Sequence, residues 1–229
     1  MSKIEELSLE LISKANNYNK WVYENMKPYL KSPVLEVGSG IGTITSYIAK
    51  NNKVIATDVS KKYVSFLKKR FVKRKNLLET KQLDLTSYRK LGKFKTVVCT
   101  NVLHHIKDDD TAIKNIHKYL EKGGLVLVQE PAHMLLFGSL DRAQDHFRRY
   151  SKETLVKKFK KRGFVIKKVF YGNSMGALGW FLNSRILNKK EINPGSITFV
   201  DKIFPFTSSI EKIIPLPLGL SVFLIAEKR

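Results

Sequence analysis

The ten residues Val34–Thr43, VLEVGSGIGT, constrain the fold more than any other stretch of this chain. An apolar run that stops at glycines predicts a buried strand and a tight turn, and the residues that follow predict a helix over 43–50. Glycines suit such a turn because they lack a Cβ, so they tolerate positive φ and let a ligand approach the backbone. The stretch therefore predicts a ligand site at the carboxyl end of the first strand.

The spacing of the glycines separates this loop from a dinucleotide fingerprint. The pattern Gly-x-Gly-x-x-Gly would need glycine at Thr43, whereas the third glycine is Gly42. The spacing Glu36-x-Gly38-x-Gly40-x-Gly42 instead resembles motif I of the class I S-adenosylmethionine (SAM) dependent methyltransferases. The resemblance implies SAM as cofactor, with the methionine part held at the glycine turn and the helix N-terminus.

Length, composition and cysteine content limit the alternatives. A chain of 229 residues that is 43% hydrophobic can bury one substantial core, so we expect one domain over 1–229. The single cysteine, Cys99, lies in an apolar run, which predicts a buried side chain and excludes a disulfide framework. With neither a secretory signal nor a spanning apolar run in the sequence, we expect a cytoplasmic protein; peripheral contact at the inner membrane surface stays open.

The formal net charge of +22 is concentrated in two segments, 61–75 and 157–162. Both have amphipathic helical patterns, so the simplest interpretation is a solvated outer face. The alternatives are attraction to an anionic membrane, to nucleic acid, or to a phosphorylated substrate.

Three acids or amides follow successive predicted strands. The second strand, 53–58, ends in Asp58, 16 residues after Gly42, where a nucleotide-binding fold keeps a carboxylate for ribose hydroxyls. A helix cap is the alternative role for this side chain. In the family resembled, an acid after the third strand, 77–85, contacts the adenine amino group, and Asp84 is the candidate. Asn101 ends the fourth strand, 94–101.

The segment Asn101–Ile106, NVLHHI, resembles motif IV of small-molecule methyltransferases. Enzymes that methylate amino groups of nucleic acids commonly carry Asn/Asp-Pro-Pro-Tyr/Phe here, and this chain has no such prolines. Because neighbours on a helix do not share a face, the adjacent His104 and His105 argue against a metal site. We expect His105 to be a general base with a near-neutral pKa.

The substrate site is predicted after the fifth strand, 125–131. His146, Arg148, Arg149 and Tyr150 form a compact donor group suited to a phosphate or carboxylate, with His133 nearby. The alternative is that the two arginines pair with Asp141 or Asp145 and have only a structural role.

The resemblance extends over nearly the whole chain and points to one branch of the class I enzymes. It rests on five further stretches: Asn17–Trp21, Gly138–Asp141, His146–Tyr150, Asn173–Trp180 and Gly219–Ser221. That branch is common in prokaryotes and is often found with glycosyltransferases acting on cell-surface glycans or polyprenyl-phosphate-linked sugars. Three positions depart from its pattern: His104 replaces a usual Glu, Asp145 a usual Gly, and Glu130 a usual small or apolar residue.

The resemblance implies an α/β fold: a doubly wound, seven-stranded, mostly parallel Rossmann-like sheet with an antiparallel last strand. Residues 1–31 are predicted to form a helical lid in which Tyr18 and Trp21 cover the cofactor. Residues 172–218 are predicted to form an apolar cap, which suits a lipid-tail groove or membrane surface, a dimer interface, or a second core.

The predicted activity is methyl transfer to a hydroxyl, amine or carboxylate of a small or lipid- or glycan-linked anionic acceptor. An RNA methyltransferase and a non-catalytic SAM-binding module are the alternatives, and the protein is expected to be a monomer or homodimer. The predicted cofactor-binding residues are Tyr18, Trp21, Glu36, Gly38, Ser39, Gly40, Gly42, Asp58, Val59, Asp84, Leu85, Asn101 and Val102. Those predicted for catalysis are His105, His146 and Tyr150; Arg148, Arg149 and His133 are predicted for substrate binding.

Overall fold

A seven-stranded sheet with the order β3-β2-β1-β4-β5-β7-β6 forms the centre of the protein. The computed structural model describes residues 3–213 and 217–229. Only β7 runs antiparallel to its neighbours, β5 and β6, which confirms the predicted fold class. The strands are β1 Val34–Val37, β2 Val54–Asp58, β3 Leu77–Gln82, β4 Phe94–Thr100, β5 Leu120–Pro131, β6 Phe164–Gly172 and β7 Ser221–Lys228.

Helices cover both faces of this sheet. They are α1 Lys3–Ser13, α2 Asn16–Met26, α3 Thr43–Ile48, α4 Lys61–Arg70, α5 Asp109–Tyr119, α6 Ser139–Ala143, α7 Lys152–Lys161, α8 Ser174–Phe181 and α9 Pro194–Ile213. On one face α5 and α7 contribute Ile113, Tyr119 and Phe159 to the core; on the other, α2 and α3 contribute Met26 and Ile48. Because β1 is buried on both faces, its sequence is continuously apolar around Glu36 rather than alternating.

Several element boundaries differ from those predicted. The helical lid predicted over residues 1–31 contains two helices, α1 and α2, followed by a 3₁₀ turn over Lys27–Tyr29. Strand β3 ends at Gln82 rather than residue 85, because its neighbour β2 ends opposite it at Asp58. Asp84 therefore lies in the loop beyond the strand. Cys99 is buried, as predicted.

The segment between β6 and β7 forms a helical cap from α8, a π-helical turn over Leu182–Ile186, and α9. Asp201 of α9 accepts hydrogen bonds from the backbone N–H groups of Asn17 and Tyr18, so the cap closes the N-terminus of α2. Residues 214–216 of the predicted cap and residues 1–2 of the predicted lid lie outside the described residues. No helix in the described ranges is long and apolar enough to cross a membrane.

Candidate functional site

A cavity of about 490 Å³ lies at the carboxyl ends of β1, β2, β4 and β5, where a parallel α/β sheet binds its ligands. The structure brings twelve of the predicted site residues to its wall: Tyr18, Gly38, Gly40, Asp58, Val59, Asp84, Leu85, Asn101, Val102, His105, His146 and Arg149. The other seven, Trp21, Glu36, Ser39, Gly42, His133, Arg148 and Tyr150, lie outside its lining.

Two of the three loop glycines are required for different reasons. A Cβ on Gly38, whose φ is +66°, would lie 2.3 Å from Val102 Cγ2 at the cavity wall. A Cβ on Gly42, whose φ is +83°, would lie 2.4 Å from Phe71 Cε2, behind the loop. Gly38 therefore shapes the cavity, whereas Gly42 allows the residue after α4 to pack against the loop.

Two buried residues, Glu36 and Ser39, stabilise the glycine loop through hydrogen bonds. Glu36 is buried, and Thr45 Oγ1 donates a hydrogen bond to its Oε2 at 2.5 Å. Burial raises the pKa of Glu36 to about 7. Ser39 is also buried, and its N–H donates to the Thr57 carbonyl oxygen. These residues position the loop rather than line the cavity.

The carboxylate of Asp58 lies at the cavity wall and holds the glycine loop at the same time. The backbone N–H of Gly40 donates to its Oδ2 and that of Ser60 to its Oδ1, both at 2.8 Å. Burial raises the pKa of Asp58, and these two amide bonds oppose the increase. Each carboxylate oxygen can accept more than one hydrogen bond, so Asp58 keeps acceptor capacity for ligand hydroxyls.

Asp84 presents its carboxylate to the cavity from the loop after β3. Its Oδ1 accepts hydrogen bonds from the backbone N–H and the hydroxyl of Thr86, both at 2.8 Å. The side chain is fixed through one oxygen only, which leaves the other for a ligand donor.

Gln129, on β5, is a polar residue of the cavity wall that the sequence did not reveal. Gln129 Nε2 donates to Asn101 Oδ1 at 3.2 Å and to Ser221 Oγ at 3.0 Å, and it lies 3.4 Å from the hydroxyl of Tyr18. Its Oε1 is buried and has no hydrogen-bond partner among the described residues. Because buried acceptors are nearly always satisfied, this oxygen is available to a donor from water or a ligand.

The lid over the cavity is mainly α1. Glu5, Leu9 and Ile12 of this helix line the cavity, whereas the sequence pointed to Tyr18 and Trp21. Tyr18 does line it, but Trp21 packs behind, with ring centroids 5.3 Å from Phe204 and 5.1 Å from Phe223. The amphipathic pattern of residues 3–13 is the signal that could have identified this lid.

Three histidines that line the cavity lie close to one another. His104 and His105 lie on a 3₁₀ turn, and His146 approaches both, with ring centroids 4.3 and 4.8 Å away. The pKa of His105 is lowered to about 2 by burial and by the two neighbouring imidazoles, so the near-neutral pKa expected for it is wrong. His104 Nδ1 lies 2.6 Å from Glu130 Oε2, and burial lowers its pKa as well.

Asp141 organises the side of the cavity nearest the cap. This buried carboxylate accepts hydrogen bonds from Gly138 N, His146 Nδ1, Arg149 Nε and Trp180 Nε1, at 2.7 to 3.1 Å. Burial alone would raise the pKa of Asp141, but the bonds from His146 and Arg149 lower it to about 2. The pairing of Arg149 with Asp141 was the structural alternative considered from the sequence; Arg149 nevertheless also lines the cavity.

The remaining predicted substrate residues have other partners. Arg148 forms an ion pair with Asp109 at 2.8 Å, and the Tyr150 hydroxyl donates to the same carboxylate at 2.7 Å. Burial raises the pKa of Tyr150 strongly, which makes it unsuited to proton transfer. The His133 ring stacks on Tyr171 with centroids 4.2 Å apart. Of residues 146–150, His146 and Arg149 line the cavity, Phe147 is exposed and Tyr150 is buried in the core, an arrangement that the sequence pattern did not indicate.

Comparison with protein families identifies one match that covers most of the chain. The model of the family described as "Methyltransferase domain" matches residues 4–169. Among curated relatives, the non-reducing polyketide synthase ausA of Penicillium brasilianum is 28% identical over 132 residues. The alignment covers 51% of this chain but only 5% of that protein, so the similarity concerns a small part of a much larger chain.

Solved structures share the fold over almost the whole chain. The cyclase SpnF gives a TM-score of 0.63 with 19% identity, covering 93% of this chain and 81% of SpnF. The phosphoethanolamine N-methyltransferase 2 of Haemonchus contortus, in complex with S-adenosyl-L-methionine, gives 0.62 with 21% identity, covering 93% of this chain and 52% of that one. At these identities the likeness concerns the fold alone.

Proposed function

The chain belongs to the methyltransferase domain family, and on that premise we propose that it transfers the methyl group of SAM to a small or lipid- or glycan-linked anionic acceptor. The observation that carries the proposal is the cavity at the carboxyl edge of the sheet, with Gly38, Asp58 and Asp84 along one wall. Bound there, SAM supplies a methyl group already activated by the adjacent sulfonium.

The residues present fit such a cofactor at both of its ends. Asp58 retains acceptor capacity for vicinal ribose hydroxyls, and Asp84 has an oxygen for the adenine amino group. The unpaired Gln129 Oε1 suits the ammonium of the methionine part. Gly38 keeps the loop backbone close to the cavity, because a side chain at that position would collide with Val102.

We propose that the acceptor binds beside His105, His146 and Arg149. An apolar groove of about 200 Å³ under the cap shares Tyr18 and Trp180 with the cavity. We expect the anionic head of the acceptor near the basic side chains and an apolar portion in the groove. The chain's part in the reaction is to position the acceptor and exclude water, and His146, oriented by Asp141, can accept a proton from a hydroxyl.

Turnover with acceptors of matched design tests this proposal. Release of S-adenosylhomocysteine is measured with hydroxyl, amine and carboxylate acceptors, each with and without an anionic head and with and without an alkyl tail. We expect turnover only with anionic acceptors and a lower KM for those that carry a tail. Binding of SAM without turnover on any acceptor would favour a non-catalytic module. Preferred turnover on RNA, with strongly salt-dependent binding, would favour the RNA alternative.

The cap surface supports peripheral contact with an anionic membrane. Leu178, Ile186, Phe199 and Phe206 are large apolar side chains at least half exposed, on a chain of net charge +22. Cosedimentation with anionic vesicles, but not with zwitterionic ones, is expected, and Phe199→Ser with Phe206→Ser should weaken it. If those substitutions instead convert a dimer into a monomer in sedimentation analysis, the exposed face is an interface between copies of the chain.

A further inference from the structure

We propose that His104, His105 and His146 form a three-imidazole site for a divalent transition-metal ion of the Zn²⁺ class. One ligand nitrogen from each ring lies within 4.8 Å of the others. With metal–nitrogen distances of about 2.1 Å, a tetrahedral site needs nitrogens about 3.4 Å apart. Each pair of these nitrogens must therefore move together by no more than about 1.4 Å.

The sequence predicted no metal site because adjacent residues on an α-helix do not share a face, but the backbone here is not an α-helix. Adjacent residues on an α-helix point in different directions, but His104 and His105 lie on a 3₁₀ turn with their ring centroids 4.1 Å apart. The third ring comes from residue 146, more than 40 positions along the chain. The cluster is therefore a product of the tertiary fold, as metal sites with distant ligands are.

Buried carboxylates orient two of the three rings in the way that metal sites use. His104 Nδ1 lies 2.6 Å from Glu130 Oε2, and His146 Nδ1 lies 3.0 Å from Asp141 Oδ1. Such carboxylate–histidine pairs fix the tautomer and leave Nε2 as the ligand nitrogen. Glu130 itself accepts hydrogen bonds from the backbone N–H groups of residues 102, 103 and 104, so the turn and its carboxylate form one unit.

The chemistry of the donor set also suits a metal. Imidazole nitrogens favour Zn²⁺, Co²⁺, Ni²⁺ and Cu²⁺ over Mg²⁺ or Ca²⁺. Three protein ligands leave a coordination position open toward the cavity, where water or an anionic oxygen can bind. The site does not depend on the proposed methyl transfer. With a metal bound, His146 would be a ligand, so the proton-acceptor role proposed for it applies to the metal-free chain.

Titration of the metal-free full chain, carrying no polyhistidine tag, with Co²⁺ and with Zn²⁺ in the absence of SAM tests the site. The visible absorption of Co²⁺ reports nitrogen ligation directly, and Zn²⁺ should displace it. We expect one equivalent per chain. His105→Gln and His146→Gln should each weaken binding by more than about 100-fold, and Glu130→Gln by about 10- to 100-fold.

The chain provides a matched control in His117, which lies on α5 against Phe164 and outside the cluster. His117→Gln should bind Co²⁺ as the unsubstituted chain does. His105 is the most exposed member of the cluster, with 26% of its side chain accessible. Its variant should therefore fold even if the His146 variant does not, and circular dichroism measures whether each variant is folded. The proposal is overturned by absence of stoichiometric binding, by unchanged binding in His105→Gln, or by an equal loss in His117→Gln.

Discussion

Replacing Asp141 by Asn should destabilise the fold more than any other single charge removal at the site. The carboxylate is fully buried and accepts four hydrogen bonds, among them one from the buried guanidinium of Arg149 at 2.7 Å. Asparagine replaces one of the two accepting oxygens with an NH₂ group. Because its side chain is neutral, it also leaves the Arg149 charge unpaired. Breaking a buried ion pair from one side costs about 3–5 kcal/mol.

Urea unfolding followed by circular dichroism measures this cost. With a slope of about 2–3 kcal/mol per molar urea, the midpoint should fall by about 1–2.5 M. Asp145→Asn is the matched control, since this exposed residue four positions away has positive φ, which asparagine tolerates. Its cost should stay within about 0.5 kcal/mol. Equal urea midpoints for the two variants would contradict a stabilising role for the buried Asp141–Arg149 pair.

Three further substitutions test the roles assigned to Glu36, Gly38 and Tyr150. Burial raises the pKa of Glu36 from 4.5 to about 7, so stability should fall by about 3 kcal/mol as pH rises from 4.5 to 7. Urea midpoints across that range should show a smaller fall in Glu36→Gln, and an equal fall would contradict the assignment. Gly38→Ala should cost about 1–3 kcal/mol because its Cβ meets Val102, whereas Gly179→Ala, in open space on a helix, should change thermal stability little or raise it. Tyr150→Phe should lower stability by about 1–2 kcal/mol yet leave kcat unchanged, since its hydroxyl bonds a buried carboxylate; a large loss of kcat would restore it as a catalytic residue.

The sequence was most informative where function and fold depend on local pattern. A buried strand that runs into glycines, and acids at the ends of the next strands, predicted both the sheet and the cavity edge correctly. Gly38, Asp58 and Asp84 reach the cavity because each lies at, or within two residues of, the end of a parallel strand, and the carboxyl ends of parallel strands meet at one edge.

The part of the site built from loops was not predictable in this way. Arg148 and Arg149 are adjacent, yet the partly exposed Arg148 bonds Asp109 and the buried Arg149 bonds Asp141. His104 and His146 meet only through the path of the chain after β5. Gln129 lies inside an apolar strand, and its unpaired oxygen becomes visible only when its neighbours are in place.

Calorimetric titration with SAM measures whether the cofactor binds at the carboxyl edge of the sheet. We expect one SAM per chain, with binding weakened by about 10-fold or more in Asp58→Asn, since a hydrogen bond to a charged group contributes about 1.5–3 kcal/mol. Asp110→Asn, whose side chain pairs with Lys158 outside the cavity, should bind as the unsubstituted chain does. Absence of binding, or equal affinity in Asp58→Asn, would contradict the placement of the cofactor across this edge of the sheet.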